Sequence, residues 1–338
     1  MKREYILIFD ERFSVAPMMD WTDQHCRYFH RLISQQSILY TEMISADAII
    51  YGPRHKLLSF NNEELPCVIQ LGGNNPQKLA DASKYAQDYG YSSINLNIGC
   101  PSNRVKNGAF GACLMKTPKL VASCVNAIKN NCHLPVTIKC RIGIDDMDEI
   151  QGLDEFIDEV SESGVIKFIV HARKAILNGL SPKQNREIPP LNYERVAFLK
   201  RRRPDLQIIL NGGIESLNQG KNLIKEHHLD GFMIGREAYK NPYILASVDK
   251  EIFEKKTIMK TRYQIVIEMV NYIDMCIKKD DIRVNAITRH MLGLYNCLPG
   301  AKEWRRTLSE DTRLANNSDI LKFATDRIEE VIQSKNVA

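Results

Sequence analysis

Eight short apolar or β-branched runs lie between Phe13 and Ile234, each closed by a polar or glycine-rich turn: Phe13–Ala16, Ile38–Thr41, Val68–Leu71, Ile94–Asn97, Val136–Lys139, Phe168–His171, Ile208–Asn211 and Gly231–Ile234. Stretches of helical character separate most of them. Pro76 opens one that carries Leu79, Ala82, Ala86 and Tyr89. Pro118 opens another with Val121, Cys124, Val125 and Ile128 on one stripe. Leu153, Phe156, Ile157 and Val160 mark a third, and Ser216-Leu217 begins a fourth through Leu223 and Ile224. Strands that alternate with helices imply parallel βαβ units. This number of them suits a (β/α)8 TIM barrel of about 250 residues, although the count alone equally admits an open, doubly wound sheet. The strand ends favour the barrel. Asp20, Glu42, Gln70, Asn97 with Cys100, Lys139 with Arg141, His171 with Arg173, Asn211 and Arg236 all stand at or just past a run. A barrel gathers such ends on one face, whereas an open sheet leaves several far from any crevice.

Beyond residue 245 no further strand follows. Tyr263–Lys278 places Val266, Met269, Val270, Ile273 and Ile277 at helical spacing, and 282–297, Ala301–Ser309 and Ser318–Ile332 read as further helices. The expectation is an α/β chain with two domains: a barrel over 1–245 and a small C-terminal helical domain over 246–338. The length of 338 residues agrees, at about 150 residues per domain. Nine cysteines, an odd number with no C-x-x-C pair, argue against a disulfide framework or zinc knuckle and for a reducing compartment. No apolar run nears the roughly 18 residues of a membrane span. The Tyr5–Phe9 patch is too short for a signal peptide, so a cytoplasmic protein is expected. The surplus of 46 Lys+Arg over 41 Asp+Glu, a net +5, permits an anionic partner without requiring one.

Four features carry chemistry. Asn211-Gly212-Gly213 and Gly235-Arg236 close the last two strands, where barrels commonly bind phosphate: glycines admit backbone N–H groups to an anion and Arg236 adds a bidentate charge. Lys139 ends the fifth strand, and three roles compete for it: a Schiff base, stabilisation of an anionic cofactor or intermediate, or a structural ion pair with a neighbour such as Glu42. Cys100 sits in a Gly-Cys-Pro turn at a strand end. A thiol of ordinary pKa about 8.5 is mostly protonated at neutral pH and can donate a proton; packing is the expected fate of the other cysteines. No second histidine or carboxylate stands at metal spacing from His171, so no metal site is expected. Basic residues in the long loop after the sixth strand (Lys183, Arg186), at Lys200–Arg203 and in the helical part (Arg283, Arg289, Lys302, Arg305, Arg306), with Tyr295 and Trp304 nearby, could grip a polyanion or simply form solvated faces.

Several stretches carry a family resemblance: Phe13-Ser-Val-Ala-Pro-Met-Met-Asp-Trp-Thr-Asp23, Tyr40-Thr-Glu-Met43, Gln70-Leu-Gly-Gly73, Ile94-Asn-Leu-Asn-Ile-Gly-Cys-Pro-Ser102, Gly108-Ala-Phe-Gly-Ala-Cys-Leu-Met115, Lys139-Cys-Arg-Ile-Gly-Ile-Asp-Asp146, His171-Ala-Arg-Lys174, Gly179-Leu-Ser-Pro-Lys-Gln-Asn-Arg-Glu-Ile-Pro-Pro190, Asn211-Gly-Gly213, Gly235-Arg-Glu-Ala238 and Thr288-Arg-His-Met-Leu-Gly293. The chain resembles the tRNA-dihydrouridine synthases, and more closely their A-type branch, from about residue 12 almost to the C-terminus. That resemblance implies an FMN-binding barrel with a helical tRNA-binding domain, a monomer that reduces uridine 20 and 20a of the D-loop to 5,6-dihydrouridine with NADPH. By similarity, Pro17, Met18, Met19, Gln70, Lys139 and His171 would hold the flavin ring. Asn211, Gly212, Gly213, Gly235 and Arg236 would surround its phosphate. Cys100 would be the general acid, and Asn97 and Arg141 would contact the target nucleotide. Ser181, Lys183, Gln184 and Lys302 would touch the RNA; the branch often carries Arg where Lys302 stands. A small-molecule FMN-dependent dihydropyrimidine or dihydroorotate dehydrogenase would use similar barrel residues but leave the basic helical part without a task. A Schiff-base lyase on Lys139 would be colourless and trapped by borohydride with its substrate. A non-catalytic RNA-binding module would leave the converging strand ends unexplained.

Overall fold

The computed structural model describes residues 10–148, 150–280, 282–313, 315 and 317–336; the Tyr5–Phe9 patch lies outside the described residues, as does Asn316. Eight strands form one sheet: β1 (Phe13–Val15), β2 (Leu39–Ser45), β3 (Cys67–Gly72), β4 (Ser93–Ile98), β5 (Val136–Arg141), β6 (Lys167–His171), β7 (Gln207–Asn211) and β8 (Gly231–Ile234). Their order is β1-β8-β7-β6-β5-β4-β3-β2, with every neighbouring pair parallel. The ends of the sheet meet through a parallel bridge between Ser14 and Ile38, where Val15 N donates to Ile38 O at 2.9 Å and Ile38 N to Phe13 O at 3.3 Å. The chain is a (β/α)8 TIM barrel, as its strand ends implied. The strand that departs most from expectation is β2. It runs on to Ser45 past a register shift between Tyr40 and Met43, a half-buried continuation that an apolar pattern does not reveal.

Alternation along each strand fills the interior. Ala16, Ile38, Tyr40, Val68, Ile169, Ile209 and Met233 form an apolar cluster there. The sector from β3 to β5 is polar: Gln70, Asn95 and Thr137 are buried and in register with one another. The helix Pro76–Asp88 begins as its proline suggests, with the Asn75 side chain accepting Lys78 N, and buries Leu79, Ala82 and Ala86. Pro118–Asn131, Gln151–Glu162 and Leu217–Glu226 follow the remaining periodic stretches.

By contact the chain gathers into two compact units: the residues up to Asp20 with Ile38–Gly235, and Trp21–Ser37 with Arg236 onward. The first unit holds the barrel strands. The second contains helices Gln24–Ile33, Arg262–Asp280, Val284–Thr288, Ala301–Ser309 and Asp319–Asn336. The helix expected over 282–297 shrinks to Val284–Thr288, because the following turns run through Gly293 and Cys297. Cys297 has φ +62°, and a Cβ on Gly293 would meet the Lys240 carbonyl oxygen at 2.2 Å. Tyr295 and Trp304 are fully buried, with ring centroids 4.9 Å apart and Trp304 Nε1 donating to Met291 O, so they build this unit's core and are not available to an RNA. The run Lys200–Arg203 is likewise paired, Lys200 to Asp230, Arg201 to Glu194, Arg202 to Asp154 and Asp158, and Arg203 to Asp158 and Asp205. Of the cysteines assigned to packing, Cys297 is exposed and Cys113 half-buried. No helix among the described residues is long and apolar enough to cross a membrane.

Candidate active site

Strand register brings the expected side chains to one end of the barrel. Asn97 pairs with Lys139, Arg141 with His171, and His171 with Asn211 across successive strands. Lys139 Nζ donates to Asn211 Oδ1 at 2.9 Å, while Asn211 Nδ2 donates to Met233 O at 2.9 Å, which fixes which amide atom faces the lysine. Lys139 therefore takes a neutral acceptor and forms no ion pair with Glu42. Burial, reinforced by the positive charge of Arg141, pushes the Lys139 amine down to about 8. His171 is driven well below its ordinary value by burial and then by the charges of Arg141 and Lys139, so the ring is neutral at pH 7. Its buried Nδ1 has no partner among the described residues.

A depressed lysine means that the unfolded chain takes up the proton first. Its cost to the fold is complete below pH 8 and disappears as pH rises towards the ordinary 10.5. Lys139→Met in flavin-free protein is expected to raise Tm at pH 7, with the gain shrinking by pH 10. A gain independent of pH would contradict this assignment.

Cys100 follows β4 in a turn clamped on several sides. Asn97 Oδ1 accepts Gly99 N at 3.1 Å and Cys100 N at 2.8 Å, and Cys100 O accepts Ala112 N at 3.0 Å. The half-buried thiol donates to Ser102 Oγ at 3.5 Å. Arg141 is buried and spends its guanidinium on backbone: Nε donates to Gly99 O at 3.0 Å, and Nη1 to Lys174 O at 3.2 Å and Asn185 O at 2.9 Å. Burial lowers it to about 10. These bonds tie the Cys100 turn to the loop after β6. Arg141→Met would leave three carbonyls without this donor; we expect a loss of about 2–3 kcal/mol in chemical denaturation and faster proteolysis within 172–192. Unchanged loop protection would refute the brace.

At the far side, Gly212 and Gly213 have φ of +112° and +67°, a region side chains disfavour. A Cβ on Gly213 would also meet Leu191 Cδ1 at 2.4 Å, and one on Gly212 would meet the His171 ring at 3.2 Å. Gly235 lies beside Ala16 and Met18 of the segment after β1, where Pro17 and Met18 are half-buried and Met19 is exposed. Arg236 directly follows Gly235 and opens the short helix Arg236–Lys240, grouped with the helical unit.

In the loop after β6, Ser181 N donates to Gln184 Oε1 and Gln184 N to Ser181 Oγ, a reciprocal turn with Lys183 exposed at its tip. Fully buried Asn185 anchors the loop: its side chain accepts Ile176 N at 2.7 Å and donates to Ile176 O at 2.8 Å. Lys302 is exposed on helix Ala301–Ser309 of the other unit. Asn185, Asn95 and Asp23 received no role from the sequence, although all three lie within the motifs that carry the resemblance. Asp23 alone carried a readable signal, an N-cap residue directly before a helix.

The family described as "Dihydrouridine synthase (Dus)" matches residues 14–331. The tRNA-dihydrouridine(20/20a) synthase of Vibrio cholerae serotype O1 is 54% identical over 301 residues, 89% of this chain and 91% of that protein. The protein of the same name from Vibrio parahaemolyticus serotype O3:K6 is 52% identical over 319 residues, 94% and 97% of the two chains. A structure of a 2-naphthoyl-CoA reductase–2-naphthoyl-CoA complex aligns with TM-score 0.55 at 11% identity, covering 71% of this chain and 50% of that one, a likeness of fold. With a barrel of the expected order and a family match over nearly its whole length, the chain belongs to the dihydrouridine synthase family.

Proposed function

We propose that this chain is a tRNA-dihydrouridine synthase that reduces uridine at D-loop positions 20 and 20a of tRNA, using FMN and NADPH, as a cytoplasmic monomer. The observation that carries the reading is the clamped Cys100 turn at the same barrel end as Lys139, His171 and Asn211. The residues fit a flavin. Among the described residues Lys139 Nζ has an amide oxygen as its acceptor and His171 keeps an unsatisfied buried nitrogen, and both would suit the acceptor-rich pyrimidine edge of a flavin. Gln70 and the Pro17–Met19 backbone would hold the ring. Gly212, Gly213, Gly235 and Arg236 would receive the phosphate.

A bound flavin would supply the hydride chemistry at C6 of the target uracil, with NADPH as the source of electrons. Cys100 gives its thiol proton to C5, completing the saturated 5,6 bond, and the thiolate recovers a proton from water. Asn97, oriented by its bonds to Gln70, Gly99 and Cys100, would contact the target base. Arg141 would contact the target nucleotide while its Nε and Nη1 brace the loops on either side. A base inside a folded tRNA must leave its stack to reach this site. The barrel, expected over 1–245, would be the catalytic domain. The helical part, 246–338, would bind tRNA with Lys302 on a phosphate and with Ser181, Lys183 and Gln184 contributing from the barrel loop.

The test is incubation of unmodified tRNA with the purified protein, FMN and NADPH, followed by nucleoside analysis. Dihydrouridine at 20 and 20a is expected, with a yellow flavin spectrum for the protein. No flavin retention after FMN addition, or turnover of free uracil in place of tRNA, would overturn the reading.

A further inference from the structure

The polar sector of the barrel interior is a single directional chain of hydrogen bonds. Thr137 Oγ1 donates to the Ile94 carbonyl at 3.3 Å and accepts Asn95 Nδ2 at 2.8 Å. Asn95 Oδ1 accepts Gln70 Nε2 at 2.8 Å, and Gln70 Oε1 accepts Asn97 Nδ2 at 2.8 Å. Only then does Asn97 Oδ1 face the Gly99 and Cys100 N–H groups. Each amide has a donor end and an acceptor end, so the orientation of one dictates the next. The backbone carbonyl under Thr137 sets the polarity of the row. The pairs Gln70–Asn95 and Asn95–Thr137 are register partners on adjacent strands, and all three side chains are buried, so water does not offer an alternative partner.

We infer that Asn95, backed by Thr137, is a positioning residue for Cys100: it holds the Gln70 and Asn97 carboxamides in the one orientation that presents an acceptor to the Cys100 turn. Neither residue touches the thiol. If Asn95 loses its acceptor oxygen, Gln70 is free to rotate its carboxamide, and Asn97 can then turn its NH2 towards two N–H donors. Donor against donor opens the turn. The effect falls on protonation of uracil, so this inference rests on the proposed reaction for its kinetic readout. Its geometric readout, the exposure of the Cys100 thiol, is independent of that reaction.

The experiment uses the flavin-loaded full-length enzyme and Asn95→Leu, with Thr137→Val as a milder second variant and Thr137→Ser as the variant that restores the hydroxyl. Iodoacetamide labelling is followed by mass spectrometry at Cys100, with exposed Cys297 as internal reference. In parallel, pre-reduced enzyme is mixed with unmodified tRNA under single-turnover conditions. Asn95→Leu is expected to raise the Cys100:Cys297 labelling ratio at least fivefold and to slow single turnover at least thirtyfold, with tRNA Kd within threefold of the parent. Thr137→Val should shift both in the same direction by a smaller factor, and Thr137→Ser should return them to within twofold. Parent-like labelling in Asn95→Leu and Thr137→Val overturns the inference, as does a loss of turnover that Thr137→Ser shares. If the parent forms no dihydrouridine, the proposed function fails, while the labelling ratios still decide whether Asn95 positions Cys100.

Discussion

Cys100→Ala is expected to lower single-turnover reduction of tRNA uridine by about 10²–10⁴-fold, the usual contribution of a positioned general acid. NADPH should still reduce the bound flavin at a rate within about twofold of the parent. The separation follows from the geometry. The Cys100 turn is held by backbone and Asn97, and those bonds survive removal of one sulfur atom: Asn97 Oδ1 still accepts two N–H groups, Arg141 Nε still donates to Gly99 O, and Ala112 N still donates to residue 100. The Lys139–Asn211 contact is also independent of the thiol. The truncation therefore removes the proposed proton donor without dismantling its surroundings, and tRNA affinity should be nearly unchanged. Quenched-flow measurement of dihydrouridine, beside stopped-flow measurement of flavin reduction, reads the two steps separately. A Cys100→Ala enzyme that completes single turnover within a factor of three would assign the proton to another group.

The parts of the molecule governed by local pattern were legible in the sequence. Short apolar or β-branched runs closed by polar or glycine-rich turns located all eight strands, because strands of a parallel barrel are covered on both faces. Strand ends located the candidate site, since parallel barrel strands all finish on one side. What escaped was long-range pairing. The resemblance implies Arg141 as a nucleotide contact, and nothing local shows that its Nε and Nη1 also brace the carbonyls of residues 99, 174 and 185. The charges at 200–203 read equally as a polyanion grip or a solvated face, and only their acidic partners, four of which lie at 154, 158, 205 and 230, tie them to the barrel's own surface. Trp304 and Tyr295 were read beside basic neighbours in the chain, but burial is decided by which face of a helix meets the core. Asn95 looked like one more strand residue, because hydrogen-bond direction is a property of neighbours on other strands.

The largest expected stability effect lies at Asp23, which organises the helical unit with one carboxylate. Its Oδ1 caps helix Gln24–Ile33 by accepting His25 N and Cys26 N, each at 3.0 Å. Its Oδ2 accepts Arg289 Nη2 at 2.7 Å and His290 Nε2 at 3.0 Å. Asp23→Ala removes a cap, usually about 1 kcal/mol, and takes the carboxylate acceptor away from a fully buried histidine and from an arginine. A combined loss of about 3 kcal/mol in urea unfolding at pH 7 is expected, with Asp23→Asn retaining the cap and losing less. The pH dependence has a definite sign. Burial alone would raise the Asp23 carboxyl, but the hydrogen bond and charge of His290, the Cys26 N–H and the charge of His25 hold it well below the usual carboxylate range. A depressed acid stabilises the fold fully above its unfolded value of 3.8, and that contribution is lost as pH falls below it, because the unfolded chain takes up the proton first. The carboxylate's share of the gap between parent and Asp23→Ala should therefore be fully present at pH 5 and narrow towards pH 3. A gap that widens between pH 5 and pH 3 would mean that the carboxylate is not what joins this helix to residues 289 and 290.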